Sequence, residues 1–281
     1  KLEISPSTKI KYELSDRQNI KFAASKTYTL PQFKERAPFQ FEDATETTFG
    51  NPDLYLSTDY NADIKWEFFP KSNEVISVTA FGKLIQNPIN EITVASATND
   101  ISYVNTGEKA IAIGGEFEIR KNIFEIDSDN KENLTAGFNA SYMYNNQDFD
   151  GQKVTDETNL SVFFSNKEGK LTGASDLLLN SDISYFKEFS KERNLLATLT
   201  YNYFSDRIYA LGTSERGNLV DKAVGTLDFI LRSKITKNIG LGLTVKNILD
   251  PTIERIQDKQ NVLVESYKKG TNFKFSVTYK F

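Results

Sequence analysis

The chain has 281 residues, of which 39% are hydrophobic, 12% aromatic and 26% charged, and its net charge is −4 at pH 7. The aromatic content argues against intrinsic disorder, and the slight negative charge gives no reason to expect a nucleic-acid partner. The absence of Cys and His excludes disulfides, thiolate or imidazole metal sites, and Ser-His catalysis by this chain alone. We therefore expect no enzyme activity.

Alternation of apolar and polar residues is the dominant pattern along the chain, and it predicts β-strands. In residues 59–68, for example, Ile64 and Trp66 alternate with Asp63 and Lys65. Most of the alternating segments approach the ~9–11 residues that a tilted membrane strand needs. In chain order, the eleven predicted strands are residues 2–14, 19–29, 59–68, 74–86, 111–120, 134–142, 174–187, 195–206, 226–232, 241–246 and 273–281.

The connections between these strands alternate in length. Short turns are predicted at residues 15–18, 70–73, 190–193 and 236–238, with a slightly longer one at 122–132. Long polar stretches lie between them, at residues 30–53, 87–109, 148–173, 207–220 and 250–265. Short turns at one rim and long loops at the other are typical of an outer-membrane β-barrel, with periplasmic turns and extracellular loops. The predicted fold is therefore an antiparallel transmembrane β-barrel segment of about eleven strands.

The distribution of aromatic residues supports a membrane location, because such residues collect at the two bilayer interfaces of a barrel. Aromatic residues lie toward the ends of the predicted strands. The alternative is a soluble β-sandwich, in which the same side chains would form the core. The predicted interface aromatics are Tyr12, Trp66, Phe68, Tyr142, Tyr201, Tyr279 and Phe281.

Several passages resemble the barrel of TonB-dependent outer-membrane receptors. The terminal alternating strand, which ends in Phe281, is also similar to the signal that the barrel-assembly machinery reads. The resemblance covers essentially the whole chain. The passages that carry it are residues 26–33, 36–39, 50–54, 66–70, 78–83, 87–89 and 245–251.

The resemblance implies a 22-stranded barrel that is filled by an N-terminal plug domain. This chain contains no plug-like region, so residues 1–281 are expected to form the C-terminal portion of the wall, strands 12 to 22. The expected partners are the outer-membrane lipid bilayer, the remaining barrel half, the plug, TonB acting through the plug, and the barrel-assembly machinery acting on Phe281. The resemblance implies no cofactor in the barrel.

Two sets of residues are candidates for function. Loops carried by a rigid scaffold are the usual place for ligand recognition, although each of these residues could instead belong to an ordinary solvated loop. The polar strand faces should line the lumen and could contact a plug, or they could simply form cross-strand charge pairs. The loop candidates are Arg36, Phe39, Phe41, Asn51, Tyr103 and Asn105, and the lumen candidates are Asp59, Asp63, Lys65, Glu67, Glu116, Glu118, Arg120, Asp228, Arg232, Lys246 and Lys274.

Two acidic stretches resemble the start of a calcium-binding loop, namely residues 127–130 and the pair Asp148 and Asp150 before Gly151. The rest of the twelve-residue calcium pattern is missing, and Asp-Gly is also common in turns. No metal site is expected here, and these residues are weak calcium candidates.

The main functional hypothesis is an energised importer of a scarce solute, such as a siderophore, a cobalamin-like molecule, an oligosaccharide or a peptide. A stand-alone small barrel with a porin-like channel is the first alternative. A soluble β-sandwich binding protein is the second.

Overall fold

The structure is a computed structural model, and it describes residues 3–43, 45–94, 100–126 and 131–281. Its main feature is one antiparallel sheet of eleven long strands, which we call the wall, and each of these strands pairs with its neighbours in chain order. The predicted number of wall strands is confirmed. The wall strands are β1 (Ser7–Ser15), β2 (Gln18–Thr29), β5 (Ser57–Phe68), β6 (Val75–Gln86), β9 (Lys109–Ile126), β10 (Glu132–Asp148), β12 (Leu177–Ser190), β13 (Arg193–Phe204), β16 (Val224–Lys234), β17 (Ile239–Lys246) and β20 (Asn272–Tyr279).

The strand register places the apolar residues on one face of the wall. Tyr12 is opposite Ile20, Ile20 is opposite Trp66, and Trp66 is opposite Val78. This face is open to the surroundings: the exposed fraction is 53% for Ile183 and 68% for Phe275. A β-sandwich would bury such a face against a second sheet, so the sandwich interpretation is wrong. An exposed apolar face with a polar opposite face is the arrangement of a membrane barrel.

The wall has two open edges, and both edge strands run in the same direction. Strand β1 ends at the turn Asp16-Arg17, and β20 follows the long connection of residues 247–271. No pairing joins β1 to β20 in the described part of the chain. Because both strands run from the long-loop rim to the turn rim, an all-antiparallel closed barrel requires an odd number of additional strands.

The long connections fold into a structured layer at one rim, which we call the loop layer. From sequence these stretches are expected to be long polar loops, whereas the structure forms short strands and helices within them. One four-stranded sheet joins residues 40–42, 47–49, 101–105 and 89–93 in that order, and another joins residues 207–210, 219–221, 253–257 and 262–267. The elements are α1 (Phe33–Arg36), β3 (Gln40–Glu42), β4 (Thr47–Phe49), β7 (Ile89–Thr93), β8 (Ile101–Asn105), α2 (Gly151–Glu157), β11 (Glu168–Gly169), β14 (Arg207–Ala210), β15 (Leu219–Asp221), β18 (Ile253–Gln257) and β19 (Val262–Tyr267).

The loop layer has its own apolar core. One cluster joins Ile92, Val104, Val154, Val162 and Leu211, which are at most 9% exposed. A second cluster is formed by Ile101, Ala210 and Leu219. These residues come from connections that are far apart in sequence, so the core fixes the loops against one another. Within the described ranges, no helix is long and apolar enough to cross a membrane.

Candidate functional site: the lumen face and the loop layer

The polar face of the wall carries a row of ion pairs that crosses four strands. Glu67 lies 2.5 Å from Lys21 on the neighbouring strand and 3.4 Å from Lys65 on its own strand. Lys65 also lies 3.8 Å from Glu118, whose carboxylate accepts a hydrogen bond from Ser77 at 3.3 Å. Glu67 is only 6% exposed, so its charge depends on the two lysines. Cross-strand pairs of this kind are the usual stabilising contacts of a polar sheet face.

The register places all eleven lumen candidates on this polar face. Some have clear partners: Asp59 accepts a hydrogen bond from Thr29 at 2.8 Å, and Arg120 lies 3.7 Å from Asp182 of β12. Arg120 is nevertheless exposed to the space in front of the sheet, and so are four further members of the set, Glu116, Arg232, Lys246 and Lys274.

The passages at residues 36–39 and 50–54 pack against each other in the connection between β2 and β5. The Arg36 guanidinium donates a hydrogen bond to the carbonyl oxygen of Pro52 at 3.1 Å, and the backbone N–H of Asn51 donates to the carbonyl of Glu35 at 2.6 Å. A Cβ atom on Gly50 would lie 2.0 Å from the carbonyl oxygen of Ala37. Glycine is therefore required at this position, because the two segments approach so closely.

Three of the loop candidates are buried within the loop layer. Asn51 donates a hydrogen bond to the carbonyl oxygen of Tyr103 at 2.8 Å. Asn105 donates to the carbonyls of Tyr55 at 3.1 Å and Asn87 at 2.9 Å. Asn51, Tyr103 and Asn105 are 4–5% exposed, and the two amides satisfy buried backbone groups that would otherwise lack partners.

Phe39 and Phe41 present their rings to solvent instead, with exposed fractions of 57% and 44%. Arg36 and Asn51 fix the backbone segments on either side of them. Arg36 is exposed as well, but its guanidinium is bonded to Pro52, so the two phenylalanines are the exposed loop candidates without such a bond in the described residues.

Sequence inspection missed a charged cluster that is centred on Arg255 of β18. Its guanidinium donates to Asp221 at 2.7 Å and to Glu46 at 3.2 Å, and it stacks on the ring of Tyr209, with Cζ 3.2 Å from the ring centroid. The Tyr209 hydroxyl in turn donates to Glu46, and burial raises the pKa of that hydroxyl. Arg255 therefore connects three separate loops. No local sequence pattern predicts this cluster, because its members are dispersed along the chain.

A second missed feature is a network of buried amides and hydroxyls at the base of the loop layer. Asn90 donates to Thr106 at 2.8 Å and to Gln147 at 2.7 Å. The Asn90 side-chain oxygen accepts from the backbone N–H of Thr172 at 3.0 Å. Asn90, Thr106 and Gln147 are at most 2% exposed. The network joins the connection after β6 to strand β10 and to the connection after β10.

The weak calcium candidates have identifiable structural positions. The carboxylate of Asp150 accepts a hydrogen bond from the backbone N–H of Lys153 at 2.9 Å and so caps helix α2. Asp148 is opposite Glu168 in a short antiparallel ladder. Residues 127–130 lie outside the described residues. Among the residues that the structure describes, no group of three potential metal ligands comes together.

Six of the seven predicted interface aromatics lie within three residues of a wall-strand end, whereas Tyr142 lies six residues before the end of β10, which continues beyond the predicted strand. Tyr12, Tyr142 and Tyr279 are 58–65% exposed on the outer face. Trp66 and Phe68 lie with ring centroids 6.3 Å apart, and Tyr279 contacts Phe281 edge to face at 5.1 Å. Tyr201 is opposite Leu227 on the same outer face. Such amphipathic rings suit the boundary between lipid and water.

Comparison with known proteins supports the same architecture. Residues 2–248 match a family model described as "TonB dependent receptor-like, beta-barrel". No curated protein matches the chain.

Three matching solved structures are a mutant of the ferric enterobactin receptor PfeA from Pseudomonas aeruginosa, the siderophore receptor PirA from Acinetobacter baumannii and the FrpB iron transporter from Neisseria meningitidis. Their sequence identities to this chain are 18%, 18% and 14%, and their TM-scores are 0.59, 0.57 and 0.57. Each match covers 99% of this chain, but only 40%, 41% and 39% of the respective solved chain. The chain thus spans about two fifths of the length of these receptors. The family match covers most of its residues, so this chain belongs to the TonB-dependent receptor-like β-barrel family of the Gram-negative outer membrane.

Proposed function

We propose that the chain forms the C-terminal portion of the wall of an energised outer-membrane receptor that imports a scarce solute. The observation that carries this proposal is the combination of an exposed apolar face, a charged opposite face and a folded loop layer on one rim. Solved structures with the same fold are named as a ferric enterobactin receptor, a siderophore receptor and an iron transporter. A ferric siderophore is therefore the first solute to test, before cobalamin-like molecules, oligosaccharides and peptides.

The open edges support a wall that is continued by another segment. Exposed backbone groups at the edge of a sheet are not tolerated in lipid. The chain supplies eleven strands, and its two edge strands run parallel to each other. Eleven further strands would close a 22-stranded barrel in which every neighbouring pair is antiparallel. We place this chain at strands 12 to 22 and assign the plug domain to the rest of the protein. TonB acts on that plug, and Phe281 is the residue offered to the barrel-assembly machinery.

The exposed charges of the lumen face suit contacts with a plug. Glu67, Lys21 and Lys65 already satisfy one another, whereas Arg232, Lys246 and Lys274 are exposed toward the lumen. We assign plug docking to these three basic residues, together with Glu116 and Arg120, and a structural role to the ion-pair row.

Capture of the solute is assigned to the loop layer. Phe39 and Phe41 offer exposed rings, and the Arg36 and Asn51 contacts hold the backbone that carries them. Tyr103 and Asn105 contribute indirectly, since they are buried beneath this segment and fix its position.

The test is uptake by cells that carry the intact receptor. Accumulation of a radiolabelled ferric siderophore should require both the receptor and a functional TonB. A Phe39→Ala/Phe41→Ala variant should bind the solute more weakly while reaching the membrane in normal amounts. A Phe33→Ala variant is the matched control, because Phe33 is an exposed ring of the neighbouring helix α1. Solute entry that is unchanged without TonB would refute energised import and favour the porin-like alternative.

A further inference from the structure

The loop layer contains a cavity of about 260 Å³ where three connections converge. The segment after β10, the segment between β14 and β15, and the tip of the β18–β19 hairpin form its walls. This volume is slightly below the ~300–1,000 Å³ that is usual for small-molecule sites, so the cavity suits a small solute or one part of a larger one. None of the loop candidates from the sequence analysis lines this cavity.

The apolar side of the cavity is a stacked pair of aromatic rings. The ring centroids of Phe149 and Phe164 lie 5.0 Å apart, with an angle of 27° between the ring planes. Both rings pack against the larger apolar cluster of the loop layer. A Cβ atom on Gly169 would lie 2.7 Å from the Phe149 ring. The ring pair is therefore held in place and offers a preformed flat surface.

The polar side of the cavity has three basic residues, Lys170, Arg216 and Lys259. Its two acidic residues are already engaged: Asp258 accepts from Asn218 at 3.1 Å, and Glu168 accepts from Asn146 at 2.7 Å.

Lys170 is paired with Asp176, which lies outside the cavity lining. Lys259 donates to the carbonyl oxygen of Glu215 at 3.1 Å, and in the described ranges no carboxylate lies within ion-pair distance of it. The ammonium group of Lys259 therefore has hydrogen-bonding capacity left for an anion.

We propose that this cavity binds a small solute, or part of a larger one, that combines a flat aromatic ring with an anionic group. The ring lies against Phe149 and Phe164, and the anionic group is held by the Lys259 ammonium group. This inference rests on the proposed function for its biological meaning, since a site at the outer rim would select the imported solute. Binding itself requires neither TonB nor transport.

The experiment measures binding of simple probes to the intact receptor in detergent by saturation-transfer NMR. Phthalate supplies both an aromatic ring and carboxylates, dimethyl phthalate lacks the charge, and cyclohexane-1,2-dicarboxylate lacks the ring. We expect millimolar phthalate to bind better than either analogue. Lys259→Gln should weaken phthalate binding at least about fivefold and leave the diester unaffected. Lys71→Gln, in the turn between β5 and β6, is the control for a surface lysine at the opposite rim.

A Phe164→Leu variant tests the aromatic surface, and it should reduce the preference for phthalate over cyclohexane-1,2-dicarboxylate. The inference is overturned if millimolar phthalate does not bind, if the diester binds equally well, or if Lys259→Gln behaves like Lys71→Gln. Uptake measurements separate this outcome from the proposed function. Phthalate binding without energised uptake refutes only the importer, and energised uptake without phthalate binding refutes only the cavity assignment.

Discussion

Replacement of Arg255 by Ala is expected to open the loop layer without disturbing the wall. Arg255 is 14% exposed at its side chain, and its ion-pair partners Asp221 and Glu46 are 16% and 13% exposed. The substitution removes the cation that Asp221, Glu46 and Glu265 share, and of these Asp221 keeps its exposed partner Arg207. It also removes the stack on Tyr209.

Removing one partner of a buried ion pair typically costs about 3–5 kcal/mol. Water can enter this cluster from the rim, so we expect the lower value, about 3 kcal/mol. At about 1.4 kcal/mol per factor of ten, that corresponds to an increase on the order of a hundredfold in the local opening equilibrium. The loss should be confined to the loops that Arg255 joins, because none of its contacts reaches a wall strand.

Hydrogen exchange of the intact receptor in detergent measures this opening directly. Amide protons of residues 207–210, 219–221 and 253–257 should exchange about a hundredfold faster in the variant, whereas those of β13 should be unchanged. Heat-modifiable mobility on gels should also be unchanged, since it reports on the wall.

Arg207→Ala is the matched control. Arg207 binds the same carboxylate, with its Nε and Nη2 atoms 3.1 and 3.0 Å from Asp221, but its side chain is 50% exposed. Exposed pairs contribute about 0–1 kcal/mol, so exchange should rise less than about tenfold. Equal effects of the two substitutions would refute the assignment of Arg255 as the buried connector, and so would an unchanged exchange rate in Arg255→Ala.

Three further predictions concern the wall and the loop layer. Ile183→Arg places a charge on the lipid face and should lower the free energy of unfolding, measured by denaturant titration, by about 2–4 kcal/mol. Thr200→Arg, on the lumen face, should lower it much less. Equal losses would contradict the assignment of the two faces. Gly50→Ala should destabilise its loop by about 1–3 kcal/mol, because the added Cβ would lie 2.0 Å from a carbonyl oxygen. Limited proteolysis should detect the loss as faster cleavage. In the control Gly82→Ala the nearest atom to the added Cβ is 3.8 Å away, so the cleavage rate should not change. Burial raises the pKa of the Glu91 carboxyl above 4.5, so the folded loop layer loses stability as pH rises from 4.5 through the raised pKa. Glu91→Gln should therefore increase protease resistance at pH 8 but not at pH 4. An equal gain in protease resistance at both pH values would contradict this prediction.

The wall was largely predictable from sequence, because the two faces of a strand are a local property. The alternation of Phe273, Phe275 and Val277 with Lys274 and Ser276 predicts which side chains share a face, whatever the strand pairs with. The alternation of short and long connections predicts which rim each connection occupies. Both predictions agree with the observed register and topology.

The candidate site was much less predictable. Asn51 and Asn105 have the composition expected of exposed ligand-binding residues, yet both are buried and bonded to backbone carbonyls. Polar composition alone does not distinguish an amide that faces a solute from one that satisfies the backbone. The long connections also carry short strands of two to six residues, which are too brief to show a clear period against turn residues.

The residue pattern alone predicts long alternating strands with one apolar face, short turns at one rim and long connections at the other. It does so because strand periodicity and turn chemistry depend on neighbouring residues. The folded structure is needed to see that the connections form a layer with its own core and that Glu46 contacts Arg255 across 209 positions of the chain. It is also needed to see that Phe149, Phe164 and Lys259 line one cavity. Such contacts depend on how distant loops pack once the wall has brought their ends together, and no local pattern encodes that packing.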